Sequence, residues 1–520
     1  MKGGANPLVW IGGGAAALVL LLAFGTLAAL ALRAESASGL GPGDWAAIRF
    51  TLLQALISAA LSVLLALPVA RALARRHFPG KRLLTTLLGA PFILPVIVAV
   101  LGIVTIFGRR GLVNAALAAL GLPPIEIYGL GGIVLAHVFF NLPLATRLFL
   151  QAHLSIPAEH FRLAAALGFS DRAVRRHLER PAIARVLPGA FVTILLLCLT
   201  SFAVALTLGG GPRATTIELA IYQAFTFDFD LGRAALLALV ELALCAVAAS
   251  SALAAGTAPE AAPSLVAAPW RPDGRSPAAR IVDGGWILLA ALFLLLPTGS
   301  IALGGLVHLA DLPAAIWPAL GRSLLVALAA MTLTLSLALG LAGLALALEG
   351  RWGRVIEGIG FLPLATSPMV LGAGLFILLF PTFPPRTLAL PVTALVNGVM
   401  SLPFALRALL PEMRQIEADH GRLADALGLV GLARLRRLHL PLLARPLGFS
   451  AGLTAALSMG DLGVIALFAT PTEATLPMQV QLLMASYRMG AASAAALVLL
   501  LASLALFWIF DRGGRAHARA

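Results

Sequence analysis

Apolar runs of roughly 20 residues, long enough to cross about 30 Å of hydrocarbon, recur along this chain between short polar stretches. They predict twelve membrane-spanning helices in two sets of six. The first set lies near 8–32, 47–70, 83–107, 128–150, 188–209 and 233–256. The second lies near 284–309, 322–348, 355–380, 387–410, 447–469 and 489–510. Two polar islands interrupt the pattern, and they are copies of one another. Residues 156–168 and 416–428 align without a gap at a spacing of 260, with nine of thirteen positions identical. Outside the islands, Leu142, Pro143, Ala145, Arg147 and Leu150 match Leu402, Pro403, Ala405, Arg407 and Leu410. Leu178, Pro181, Ala184 and Arg185 likewise match Leu438, Pro441, Ala444 and Arg445. The chain is therefore a duplicated unit. Six spans separate equivalent positions, so the halves have the same orientation; inverted repeats need an odd number of spans per unit.

Within the islands, Phe161, Leu163, Ala164 and Leu167, and then Leu423, Ala424 and Leu427, recur at helical spacing. Pro157 suits a first helical turn, and Gly168 and Gly428 suit left-handed caps. Ser170 before Asp171 signals a second helix, whose polar face (Arg172, Arg175, Arg176, Glu179, Arg180) runs to an expected break at Pro181. Each island thus reads as helix, glycine turn, helix, with an amphipathic surface fit for a groove on a partner. The plainer reading is a solvated loop between spans. A solvated loop places no constraint on an acid, an alanine, a leucine and a glycine at fixed offsets, and both copies keep these types.

Composition narrows the class. Sixty per cent apolar residues, 12% charged residues and a mean hydropathy of +0.97 exclude an ordinary soluble domain. The formal charge is +14, and its distribution matters more than its sign. With the N-terminus inside, 26 of the 37 basic residues fall in cytoplasmic segments, among them six between Arg162 and Arg185 and six between Arg414 and Arg445. Both islands are then cytoplasmic. The charge is scattered over short loops, which argues against a nucleic-acid partner. The first apolar run is too long for the ~7–15-residue core of a signal peptide and reads as a span. Cys198 and Cys245 lie within spans, and neither disulfide nor metal-ligand spacing is present. Neither Lys2 nor Lys81 sits in a phosphate-binding G-x-x-x-x-G-K-[ST] loop.

Polar side chains inside spans are costly and so become candidates for a translocation path. Gln54, His137, Asn141, Glu241, Asn397 and Asp461 are the main ones. Asn141, Glu241 and Asp461 are the candidate path residues, the two acids being suited to an organic cation. The structural alternative makes His137 an interhelical hydrogen-bond partner and Asn141 a donor to carbonyls freed near Pro143.

The islands resemble the EAA loop of ABC importer permeases, with Gly168 and Gly428 as its glycine, Ala164 and Ala424 as its second alanine, and Leu440-Pro441 as its hydrophobic ending. They depart from it at the acid, where Arg162 and Arg422 stand and the nearest acids, Glu159 and Asp419, lie about a turn earlier. They depart again at Arg180-Pro181. Over residues 111–151, 208–223 and 458–464 the chain is similar to fused thiamine ABC transporter permeases. The resemblance implies an all-α type I ABC importer permease fold. One lobe would be 1–256 (coupling loop 152–187), a cytoplasmic linker 257–282, and the second lobe 283–520 (coupling loop 411–446). It implies a transport subunit, not an enzyme, moving thiamine or its phosphates across a bacterial inner membrane, with both termini cytoplasmic. ATP would sit on two copies of a separate ATPase subunit, a periplasmic binding protein would deliver substrate, and this chain would bind no cofactor or metal. Glu159, Ala164, Gly168, Asp419, Ala424, Gly428 and Pro441 would couple to the ATPase. The competing readings are a fused ABC permease for ferric iron or a small oxyanion and, from another class, an ion-coupled secondary transporter. A membrane enzyme would need a nucleophile–base pair that the sequence does not display.

Overall fold

In the computed structural model the apolar runs become helices. It describes residues 7–35, 39–88, 93–209, 211, 214–254, 273–274, 276–348, 350–470 and 473–517. Most of the linker (257–272 and Arg275), and Gly210, Pro212 and Arg213 of the loop after the fifth apolar run, lie outside the described residues. The first half runs through α1 (Pro7–Ala34), α2 (Pro42–Arg75), α3 (Val96–Phe107), α4 (Leu130–Leu154), the island helix α5 (Ala158–Ala166), α6 (Arg180–Leu199), the short α7 (Ile217–Gln223) and α8 (Leu231–Ala254). The second runs through α9 (Pro277–Val307), α10 (Ile316–Leu348), α11 (Gly350–Phe361), α12 (Pro368–Leu379), α13 (Pro385–Ala426), α14 (Ala444–Met459), the short α15 (Leu476–Ala485) and α16 (Met489–His517).

Among the described residues eleven helices are long and apolar enough to cross a membrane, and a bent pair makes a twelfth span. The bent pair is a departure from the sequence expectation. The run near 355–380 is not one straight helix; it turns by 91° between α11 and α12. Pro363 and Pro368 lack the N–H groups a continuous helix needs, and Ser367 Oγ starts α12 afresh by accepting the Val370 N–H at 3.1 Å.

The halves pack alike and exchange their first spans. In the first half α2 packs on α4 and α6; in the second α10 packs on α13 and α14. But α1 lies against α10 and α12 of the second half as well as α8, while α9 lies against α2 and α3 of the first half as well as α16. The buried side chains follow this exchange. One core, with Phe139, Phe149 and Ile194, takes in Ala290 and Leu294 of α9. Another, with Leu402, Leu409 and Met413, takes in Ala15, Val19 and Leu22 of α1. A third lies between the halves, joining Ile217, Ile221 and Ala238 to Met369, Met459 and Val480.

Apolar helices gain little from hiding one another from lipid, so close backbone approach through small residues supplies much of the attraction. The crossing spans use it. A Cβ on Gly12 of α1 would clash with Gly340 O on α10, and one on Gly102 of α3 would lie 2.5 Å from Pro297 O on α9. Gly13 has nothing within 4 Å of its Cβ position. Gly12→Ala is expected to destabilise the purified protein by about 1–3 kcal/mol through overpacking, whereas Gly13→Ala leaves stability unchanged or raised. Thermal unfolding in detergent measures both; equal effects at the two positions would contradict the contact.

Candidate functional site

The two islands fold alike. Each helix ends at a left-handed glycine, Gly168 (φ 69°) and Gly428 (φ 66°). The following amide then reaches back: Phe169 N–H donates to Ala164 O and Leu429 N–H to Ala424 O, both at 2.9 Å. This six-to-one bond is a Schellman cap. Ser170 Oγ caps the next helix by accepting the Ala173 N–H at 3.3 Å. A π turn follows in each copy, Arg175–Glu179 and Leu435–His439.

The expected break at Pro181 does not occur. Arg180 N–H donates to Arg175 O, five residues back, and α6 continues through Pro181 as its second residue. The wide turn shifts the bonding register, so that the missing proline N–H is tolerated. The helical apolar set also divides. Phe161 and Ala164 are buried with Ile156 and Val174 in a small core of the first island's own. Leu163 (59% exposed) and Leu167 (63%) project from it, as Leu423 (60%) and Leu427 (66%) do in the second copy. Ala424 faces inward like Ala164, and Glu159, Asp419, Gly168, Gly428 and Pro441 are exposed. The outward ridge of each island therefore combines two leucines with an acid one turn before the first of them.

The islands are braced differently. In the first, Arg71 Nε donates to the buried Glu179 Oε2 at 2.7 Å, and Asp171 Oδ2 accepts the Gly274 N–H at 3.0 Å. Arg76 donates to Gly274 O and to Asp283 Oδ2, each at 2.7 Å. These contacts join the end of α2, the first island and the start of α9. The second island is braced from within. Arg434 Nε donates to Glu417 Oε1 at 3.0 Å, and Nη1 to Asp425 Oδ1 at 2.5 Å. The Glu417 hydrogen bond holds the Arg434 guanidinium above its ordinary pKa. Burial draws the His439 imidazole below the usual histidine range, although Glu417 Oε1 lies 2.8 Å from Nε2.

The path candidates separate into two groups. Asn141 does not serve a backbone carbonyl; its Nδ2 donates to Cys198 Sγ at 3.3 Å. Gln54 Nε2 donates to Cys198 O at 2.9 Å, and His137 Nδ1 pairs with Ser58 Oγ at 3.2 Å, the interhelical partnership expected of it. These groups tie α2, α4 and α6 together. Asn397 does the same in the second half, donating to Ser458 Oγ at 3.0 Å.

Glu241 and Asp461 instead both lie at the seam between the halves, where each is buried near Glu218 or acts on it. Glu241 on α8 and Glu218 on α7 are buried beside each other and next to Ser367, and Glu218 also feels the field of Asp461. Asp461 lies in a break after α14, where its Oδ1 accepts the Gly463 N–H at 3.3 Å. Among the described residues Glu218 Oε2, both Glu241 oxygens and Asp461 Oδ2 lack a hydrogen-bond partner. Carboxylates left in that state are expensive, and their cost marks the seam as the candidate path. Glu218 escaped the sequence reading because seven residues are too few to register as a span. α7 is set between the halves by its first amide, Ile217 N–H, which donates to Thr51 Oγ1 at 2.9 Å. The second half repeats the device, with Leu476 N–H donating to Ser323 Oγ at 2.9 Å.

Comparison with known proteins follows the same twofold plan. The family model described as binding-protein-dependent transport system inner membrane component matches twice, at residues 62–255 and 336–515. The thiamine transport system permease protein ThiP of Brucella abortus is 40% identical over 98% of this chain and 96% of its own length. Its namesake in Escherichia coli is 41% identical over 90% of this chain and 89% of its own. The one in Haemophilus influenzae is 34% identical over 88% and 87%. With both halves matched, each carrying an island of the same geometry, this multi-pass membrane chain belongs to the family of binding-protein-dependent transport permeases, the membrane subunits of ABC importers.

Proposed function

We propose that this permease carries thiamine, and its phosphates, across a bacterial inner membrane, with both islands and both termini on the cytoplasmic side. The observation that carries the substrate is the 40% identity to a thiamine permease over 98% of the chain, which leaves neither half unmatched. Charge at the seam agrees with it. Glu218, Glu241 and Asp461 suit an organic cation and would repel an oxyanion. A sulfate transport permease of Synechococcus elongatus matches only 19% of this chain.

In this reading two copies of an ATPase subunit hold ATP and grip the ridges at Leu163 and Leu167 and at Leu423 and Leu427. Glu159 and Asp419 lie at the rim of each contact, Ala164 and Ala424 anchor the helices from behind, Gly168 and Gly428 set the turns, and Pro441 begins the return to the membrane. The chain itself would hold no cofactor in this reading. A soluble periplasmic protein meets the opposite face. There the two non-glycine residues with positive φ among those described, Phe229 (52°) and Tyr487 (59°), occupy matching turns before α8 and α16. Both are aromatic and exposed, and strain of this kind tends to persist at working surfaces.

Proteoliposomes holding the permease, its ATPase and its binding protein are expected to accumulate thiamine only when ATP is supplied. Uptake of ferric iron without thiamine would overturn the substrate. The hooks are tested separately. No atom lies within 4 Å of the Cβ position at Gly168 or Gly428, so a side chain there acts through backbone strain alone, about 1–2 kcal/mol. Gly168→Val and Gly428→Val should each lower coupled ATP hydrolysis by roughly tenfold with membrane insertion intact. Wild-type uptake by both variants would remove the hooks from the mechanism.

A further inference from the structure

On the face opposite the islands, a cavity of about 310 Å³ opens between the halves. Its wall includes Thr215, Leu219, Tyr222, Gln223 and Phe227 of the first half and Gln481 of the second. The volume is at the lower end of what small ligands occupy. Leu219, Tyr222 and Gln223 share a face of α7 by their three- and four-residue spacing. Glu218 and Ile221 are buried, and Glu218 lies one helical turn before Tyr222, at the edge of the same face. The short α7 thus carries both part of the cavity's wall and, one turn from Tyr222, the Glu218 carboxyl paired with Glu241.

Aromatic rings link the cavity to the acids. The Phe227 ring stands at 88° to Tyr222 with centroids 5.9 Å apart, and Tyr222 meets Phe202 edge-on at 5.3 Å. Phe202 in turn brings its backbone to the Glu218 carboxyl. The succession Phe227, Tyr222, Phe202 leads from solvent-facing space to the acids. Ring faces attract a cation without holding it as tightly as a carboxylate does. Amide side chains at Gln223 and Gln481 add hydrogen bonds that carry no charge.

We propose that this cavity is a receiving site for a flat aromatic cation, in which Tyr222 and Phe227 supply stacking faces and Gln223 and Gln481 set orientation before the cargo passes α7. This deepens the thiamine reading and rests on it, since a thiazolium ring is such a cation. Tyr222 is a specificity residue in this scheme, and its ring rather than its hydroxyl does the selecting.

The test uses the complete transporter in proteoliposomes, with saturating thiamine-loaded binding protein. Tyr222→Leu is expected to lower the uptake rate about tenfold, and Tyr222→Phe to stay within about twofold. Substrate-free ATP hydrolysis should not change in either, and Tyr222→Phe, which keeps the ring contacts, should keep the wild-type thermal midpoint. Gln481→Leu, on the other half, should lower uptake without altering stability. Wild-type uptake in both Tyr222→Leu and Gln481→Leu would overturn the proposal, and so would equal losses in Tyr222→Leu and Tyr222→Phe. If the unsubstituted transporter moves no thiamine at all, the substrate reading itself fails, an outcome distinct from either of these.

Discussion

Everything in this molecule depends on two spans being packed in the half to which they do not belong by sequence. α1 and α9 cross over, and their contacts are made at backbone distance. Gly12 lies against Gly340, Gly102 against Pro297, and Gly374 against Thr26. Between lipid-soluble helices such contacts do what hydrophobic burial does in water. The exchange has a consequence for the seam. Because each half is held in place by the other's first span, the third core between them need not be uniformly apolar to hold the halves together. It can therefore accommodate the carboxyls of Glu218 and Glu241, which a self-sufficient interface of this kind would exclude.

The braces extend the same logic to the islands. Arg71, Arg75 and Arg76 at the end of α2 reach Glu179 and Asp171 of the first island, Asp273 on the chain leading into α9 and Asp283 in its second turn. The first hook is thus joined by charge to a span that packs in its own half but belongs to the other. A network of several partly buried charges resists being broken one pair at a time more than an exposed pair does. Among the described residues the second hook is tied differently: Arg434 closes it on itself through Glu417 and Asp425, and Arg414 just before it pairs with Glu357 of α11 in its own half. Two hooks of one geometry are therefore anchored to different parts of the scaffold.

Much of this was legible in the residues. Apolar run length gave the spans, and the repeat gave the hooks, down to the glycine turns and the Ser170 cap. The failures have physical causes. Pro181 reads as a break only if the preceding helix is α throughout, and a π turn removes that premise. Leu163 and Leu167 share helical spacing with Phe161 and Ala164, and spacing alone does not tell a face turned to the core from one kept free for a partner. Glu218 sat in a stretch too short to count as membrane. Only the return of α7 between the halves buries it, and that return depends on the tertiary hydrogen bond from Ile217 to Thr51.

The pattern of likeness and difference between the halves carries a last argument. The turns at Gly168 and Gly428, the π turns and the hydroxyls that seat α7 and α15 are duplicated nearly atom for atom. The acids are not: at the 260-residue spacing of the repeat Asp461 corresponds to Ser201, Glu241 to Leu501 and Glu218 to Met478. In the proposed reading a motor of two identical subunits would present the same groove twice, so both hooks would have to keep one shape. A single small cation passing along the seam has no twofold axis and makes no such demand. Acidic side chains contributed unequally by the two halves are what a symmetric frame around an asymmetric cargo should contain; in the proposed reading discrimination belongs to the seam and the transmission of force to the hooks.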